Sequence, residues 1–175
     1  NVSNPQQQGQ ALQLTEVNVW VLRESSQSQE GERQAIALGD LGVVQNPDST
    51  FMPPDEDQDV FDEDTLAQYR DPAQRVSAES FGVDATTFVE GYFVPLQEGA
   101  DYSLDRNLGY VSIKRNLGSR QALAVSFKYR DPQTGETISV GDVSQGGNDR
   151  MYLKLLRPQT VTTSNILWDL MMKNV

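Results

Sequence analysis

The run ALQLTEVNVWVLRE, residues 11–24, puts Val17, Val19 and Val21 on one face of an extended backbone and Trp20 and Leu22 on the other. Side chains alternate every second residue in a strand and recur every 3.6 in a helix. A β-branched set at period two therefore demands a strand, and a sheet for that strand to pair with. Leu14 has the opposite parity to Val17, which predicts a bulge or turn between them.

The same alternation recurs along the chain. QAIALGDLGVV, residues 34–44, is a second apolar run in which Gly39 and Gly42 mark a bend or a close backbone approach. TTFVEGYFVPL, 86–96, is aromatic and β-branched and reaches a strand end at Pro95. DYSL and GYVSI flank DRNLG, so 102–104 and 110–113 are expected to form a hairpin whose loop uses Asn107 and Gly109. ALAVSFKYR, 122–130, turns through DPQTGE into TISVGD, and MYLKLLR, 151–157, comes after the turn SQGGND. Seven or eight strands with turn residues between them predict a mainly β chain, an antiparallel β-sandwich or jelly-roll-like domain. Residues 1–10, NVSNPQQQGQ, read as a linker, and 11–160 as the domain.

Residues 46–80 break the pattern. Pro47, Pro53, Pro54 and Pro72 and a dense carboxylate block cannot supply a central ladder. They predict a long acidic loop outside the sheet, carrying one short helix with Asp64 as N-cap and Thr65 to Tyr69 as its turn, ending before Pro72. Seven carboxylates in 55–64 repel one another, so this loop is expected to be mobile.

Composition narrows the chemistry. The chain of 175 residues has 25 acidic and 14 basic side chains, a formal charge of −11, and no His or Cys. Such a surface repels phosphate backbones, so nucleic acid is not an expected partner. Without His or Cys there is no Ser-His or Cys-His nucleophile pair and none of the usual zinc sites, and no enzyme or cofactor is expected. Paired carboxylates could hydrolyse a glycoside, but nothing singles out one pair. No stretch of about 18 apolar residues is present to span a bilayer and no signal peptide opens the chain, so this segment reads as soluble.

Two binding readings stand beside the structural one. Asp55, Asp57 and Asp59 have the alternate spacing of a calcium loop, yet the sixth position is Val60 where Gly belongs and the twelfth is Leu66 where a bidentate Glu belongs. They are weak metal candidates on a solvated loop. Trp20, Tyr92, Tyr102 and Tyr110 lie in strands, where they either stack a sugar or fill the core.

Three stretches in order carry a family resemblance: LTEVNVWVLRE followed by RQAIALGDLG, then LQEGADYSLDRNLGYVSI, then LKLLRPQTVTTSNILWDLMMKNV. They resemble the SprA family, also called Sov, over residues 11–45 and 88–175, most specifically at Trp168 to Asn174. Proteins of that family are giant outer-membrane components of type IX secretion and gliding motility in Bacteroidetes-type bacteria. They form a large β-barrel translocon through which folded cargo leaves the periplasm, with partner proteins closing its openings. The resemblance implies that this chain is a non-catalytic soluble domain of such a translocon, at the outer membrane on its periplasmic or cell-surface side. The remainder of the parent chain and secretion-system subunits would be its partners, and the isolated domain could be monomeric. The acidic stretch 46–80 does not match the family pattern.

The ending NILWDLMMKNV holds six large apolar side chains in seven residues, too few to span a membrane and many for one surface segment. Residues 161–175 are therefore expected to lead into the next part of the parent chain. Trp168, Leu170, Met171 and Met172 are the candidate docking residues, and the alternative is that Trp168 completes the domain's own core.

Overall fold

The computed structural model describes residues 13–39, 41, 63–132, 134–143, 147–164, 167, 168 and 171. The chain is mainly β, as its alternating runs require. Its strands are β1 (Gln13–Leu22), β2 (Arg33–Leu38), β3 (Phe88–Pro95), β4 (Tyr102–Asp105), β5 (Tyr110–Ile113), β6 (Leu123–Arg130), β7 (Thr137–Val140) and β8 (Met151–Arg157). One short helix, α1 (Glu63–Gln68), and 3-10 turns at Ala78–Phe81 and Ala85–Thr87 lie between β2 and β3. The hairpin β4–β5 forms as its turn residues dictate, pairing Tyr102 with Ile113 and Asp105 with Tyr110.

The main sheet runs β1-β3-β2-β8-β6-β7, and β1 also pairs with β6. That extra pairing joins β1, β3, β2, β8 and β6 into a ring. Trp20–Leu22 of β1 meet Pro95–Phe93 of β3 on one edge, while the whole of β1 runs antiparallel to β6 on the other. The register of β1 shifts between Leu14 and Glu16, where the change of parity calls for a bulge. Strand β2 runs parallel to β8, Ala35 opposite Met151 and Leu38 opposite Lys154, the one departure from antiparallel pairing among the named strands. Beyond the ring, the start of β1 and the end of β6 continue with β7 as a three-stranded extension.

Closing the ring buries the inner face of its strands. Ala35, Ala37 and Ala124 share one face with Trp20, Phe93, Leu153 and Leu155, all fully buried. The opposite face carries exposed Glu90 and Tyr92, so the small-residue face is the inside. A narrow ring leaves room for few large side chains, and small residues opposite them complete the packing. Gly91 belongs to this scheme. A Cβ there would lie 2.8 Å from Leu22 Cδ1, so the missing side chain is what lets Leu22 enter. Ile36, Leu38 and Tyr152 on the outside are also buried. They form a second core with Val19, Val125 and Phe127, covered by α1, Phe81 and the β4–β5 hairpin.

The segment after α1, which carries Pro72, stays out of the sheet, and from residue 63 onward it is packed onto the domain. Leu66, Ala78 and Phe81 are buried, and Phe81 packs edge-on against Tyr69 and Tyr152 at 5.0 and 6.2 Å between ring centres. The helix begins at Glu63, so Asp64 lies inside its first turn and is not the residue preceding it. Arg150, 1% exposed, clasps the stretch just beyond the helix: its guanidinium donates to the carbonyls of Tyr69, Pro72 and Gln74 and pairs with Glu90 at 3.1 Å. Arg70 makes a two-pronged pair with Asp142, and Tyr152 donates its hydroxyl to the Leu66 carbonyl at 3.0 Å. The repulsion inferred from 55–64 does not govern 63–81, because buried aromatic packing and charge-assisted hydrogen bonds outweigh it.

Candidate docking site

The first and the last of the stretches that carry the resemblance meet at one end of the ring. Strand β2 finishes at Leu38 and turns at Gly39, where the N–H donates to the Thr87 carbonyl at 2.8 Å. From the other side comes Leu167 of the tail, 1% exposed and part of the inner core. A Cβ on Gly39 would stand 3.2 Å from Leu167 Cδ2 and 2.9 Å from Thr87 Cβ, so glycine is what lets tail and turn close on each other. Lys154 of β8, 3% exposed, donates its ammonium to the carbonyls of Leu41 at 2.9 Å and Gly39 at 3.4 Å. A buried ammonium needs acceptors in place of water, and the turn's carbonyls supply two of them.

This geometry divides the tail. Leu167 enters the domain's own core, whereas Trp168 and Met171 remain partly exposed beside it. The candidates Leu170 and Met172 lie outside the described residues, as do Asp55, Asp57 and Asp59. Among the described residues no three His, Cys, Asp or Glu side chains are grouped to hold a metal ion, and no helix is long and apolar enough to cross a membrane.

The second exposed feature is the tip of the β4–β5 hairpin. Tyr102 is buried, with Leu104, Val111 and Ile113 packed beside it against the outer core, which leaves Ser103, Asp105, Tyr110 and Ser112 on the other face. Asp105 shapes the turn by accepting from the N–H groups of Asn107 and Leu108 at 3.0 and 2.9 Å, and Gly109 takes a positive φ of 70°. Arg106 is held by a two-pronged pair with Glu98 at 2.9 and 3.0 Å, and that hydrogen bonding holds the Glu98 carboxyl below its ordinary range. The result is a hydrogen-bonded turn that lifts Leu108, 71% exposed, and Tyr110, 40% exposed, off a strongly acidic chain. Exposed large apolar groups on a fixed turn are suited to a protein contact.

The four aromatics considered for sugar stacking separate cleanly. Trp20 and Tyr102 are core residues, and Tyr92 has the Arg23 guanidinium 4.6 Å over its ring. Tyr110 opens onto a depression shared with Ser103, Arg106 and Ser112. Sequence pattern did not point to Lys154, Leu167 or Leu108. Lys154 did leave a signal, a lone lysine among the leucines of LKLLR, where a charge must find acceptors inside the fold.

No protein-family model matches the chain, and no curated protein matches it.

Proposed function

We propose that this chain is a non-catalytic structural domain of a SprA-like outer-membrane translocon of type IX secretion and gliding motility. In this reading a rigid β ring holds a docking hairpin and an outgoing tail against the rest of the parent chain and the secretion subunits. The observation that supports it best is the convergence at Gly39. Gly39 and Leu41 come from the first of the resembling stretches and Lys154 and Leu167 from the last, and they assemble into one junction. A motif set whose members touch is a structural unit, because each part needs the others for burial. The exposed Leu108 and Tyr110 supply a contact surface of the kind a larger assembly covers.

The test is to tag the parent protein in a bacterium that carries it, fractionate the membranes and image the purified assembly by electron microscopy. Outer-membrane recovery, with density for this fold attached to a large barrel, is the expected result. A parent protein recovered away from the outer membrane, or free of any barrel, overturns the proposal. The carbohydrate-binding alternative rests on Tyr110, and a glycan titration that shifts the hairpin's resonances would favour it.

A further inference from the structure

Where β1 leaves the ring for the three-stranded extension, the inner face turns polar. Asn18 and Ser126 are directly opposed in the β1–β6 ladder, and Trp20 opposite Ala124 is the next pair on the same face. Directly paired residues share a face and their side chains touch. Asn18 Nδ2, Trp20 Nε1 and Ser126 Oγ are all buried, and none has a hydrogen-bond partner in the protein. Trp20 and Ser126 are both 0% exposed. The indole N–H can only donate, the Asn18 amide nitrogen can only donate, and a serine hydroxyl can do either. Leaving buried donors of this kind unpaired is costly, and three such groups at neighbouring positions of one face can be satisfied by one shared partner.

We infer that this cluster is a binding site for one internal water molecule at the mouth of the ring. Complete burial of Trp20 and Ser126 excludes a peptide segment or a sugar, which could not reach them without parting the strands. The donor pattern fits water: its oxygen accepts from Asn18 and Trp20, and one of its hydrogens goes to Ser126 Oγ. Such a water has the two to four polar partners that stable internal waters need. The neighbouring positions explain how it enters and why it stays. Asn18 is only half-buried, and beyond it the same face of the extension bears Glu16 and Lys128, paired at 3.5 Å and open to solvent. Inward from Trp20 the ring is lined by Leu155, Phe93 and alanines, where water has no partner. The site thus marks the boundary between the dry interior and the wetted extension.

Nuclear magnetic resonance on the ¹⁵N-labelled Trp168→Phe protein tests this, because Trp20 is then the only indole in the chain. The indole N–H of Trp20 should show cross-peaks to water of opposite sign in laboratory-frame and rotating-frame experiments, the signature of a long-resident water. The same cross-peaks should persist in Trp168→Phe/Ser126→Ala, which retains both donors. Their absence in the first protein overturns the inference and indicates that the Asn18 carbonyl has turned to take the indole proton directly. Their loss in the second overturns it as well, since the signal then came by exchange through the Ser126 hydroxyl.

Discussion

Leu167 and Gly39 are in contact across the end of the ring: a methyl group on Gly39 would lie 3.2 Å from Leu167 Cδ2 and still closer, 2.9 Å, to Thr87 Cβ. Residues far apart in the chain therefore complete one core. Gly39→Ala should destabilise by about 1–3 kcal/mol through overpacking, and Leu167→Ala by about 2–5 kcal/mol through an inner cavity. Trp168→Ala, at a half-buried side chain, should cost less than Leu167→Ala. Urea unfolding of the three variants measures the order, and a Trp168→Ala loss larger than that of Leu167→Ala would contradict the placement of the tail.

Arg150 holds residues 69–74 by their carbonyls. Arg150→Met leaves those carbonyls and Glu90 without their partner, and a loss of about 3–5 kcal/mol is expected, as for other broken buried pairs. Arg150→Lys should recover only part of it, because an ammonium cannot span the same fan of acceptors. Limited trypsin digestion gives a local readout: cleavage after Arg75 should be slow in the parent protein and fast in Arg150→Met.

Gly91 and Leu22 should be energetically coupled. A Cβ on Gly91 falls 2.8 Å from Leu22 Cδ1, so Gly91→Ala is expected to be destabilising alone and better tolerated when Leu22→Ala has already removed the obstruction. A double-mutant cycle should return a favourable coupling of roughly 0.5–3 kcal/mol. Additive losses would show that the ring relaxes at this point.

Alkaline pH should unfold the domain through Tyr152. Burial is the largest cause raising its hydroxyl, opposed in part by Arg70 and Arg150, and the group is pushed up from 10.0 to about 12. The folded state holds the proton more tightly than the unfolded chain. This contribution is therefore complete below pH 10 and is lost as pH rises from 10 towards 12. Its size is of order 3 kcal/mol at about 1.4 kcal/mol per pH unit. Melting temperature against pH, followed with tyrosinate absorbance, should fall across that window, and Tyr152→Phe should flatten the fall while losing the bond to Leu66.

The hairpin tip should be separable from stability. Leu108→Ser removes a side chain 71% exposed and is expected to change unfolding free energy by no more than about 0.5 kcal/mol. Under the proposed role the same variant should weaken association of the domain with the remainder of its parent chain, measured by pull-down with the purified parent lacking residues 11–160. Unchanged association would remove Leu108 from the contact.

Much of the architecture was legible in local pattern. The Val17–Val21 alternation marked β1, the parity change after Leu14 marked its bulge, and Asn107 and Gly109 marked the turn of β4–β5. The described part of 46–80, from residue 63, lies outside the sheet, as its composition predicted. The docking junction was legible only in part: the tail's apolar character was evident, but Trp168 drew attention by size while the shorter Leu167 took the buried place. Size on its own does not say which side of a short turn faces inward.

The sequence by itself determined which segments are strands and where turns interrupt them, because periodicity and turn chemistry act within a few residues. Only the tertiary structure decided that β1 pairs with both β3 and β6, that β2 lies parallel to β8, and that both faces of Ala35–Leu38 are covered. It also decided that Arg150 and Lys154 sit inside with carbonyls around them and that Asn18, Trp20 and Ser126 bring buried, unpartnered polar atoms to one face of the β1–β6 ladder. Each of these depends on residues tens of positions apart arriving at the same place, and a pattern with a period of two carries no record of which distant strand will stand beside it.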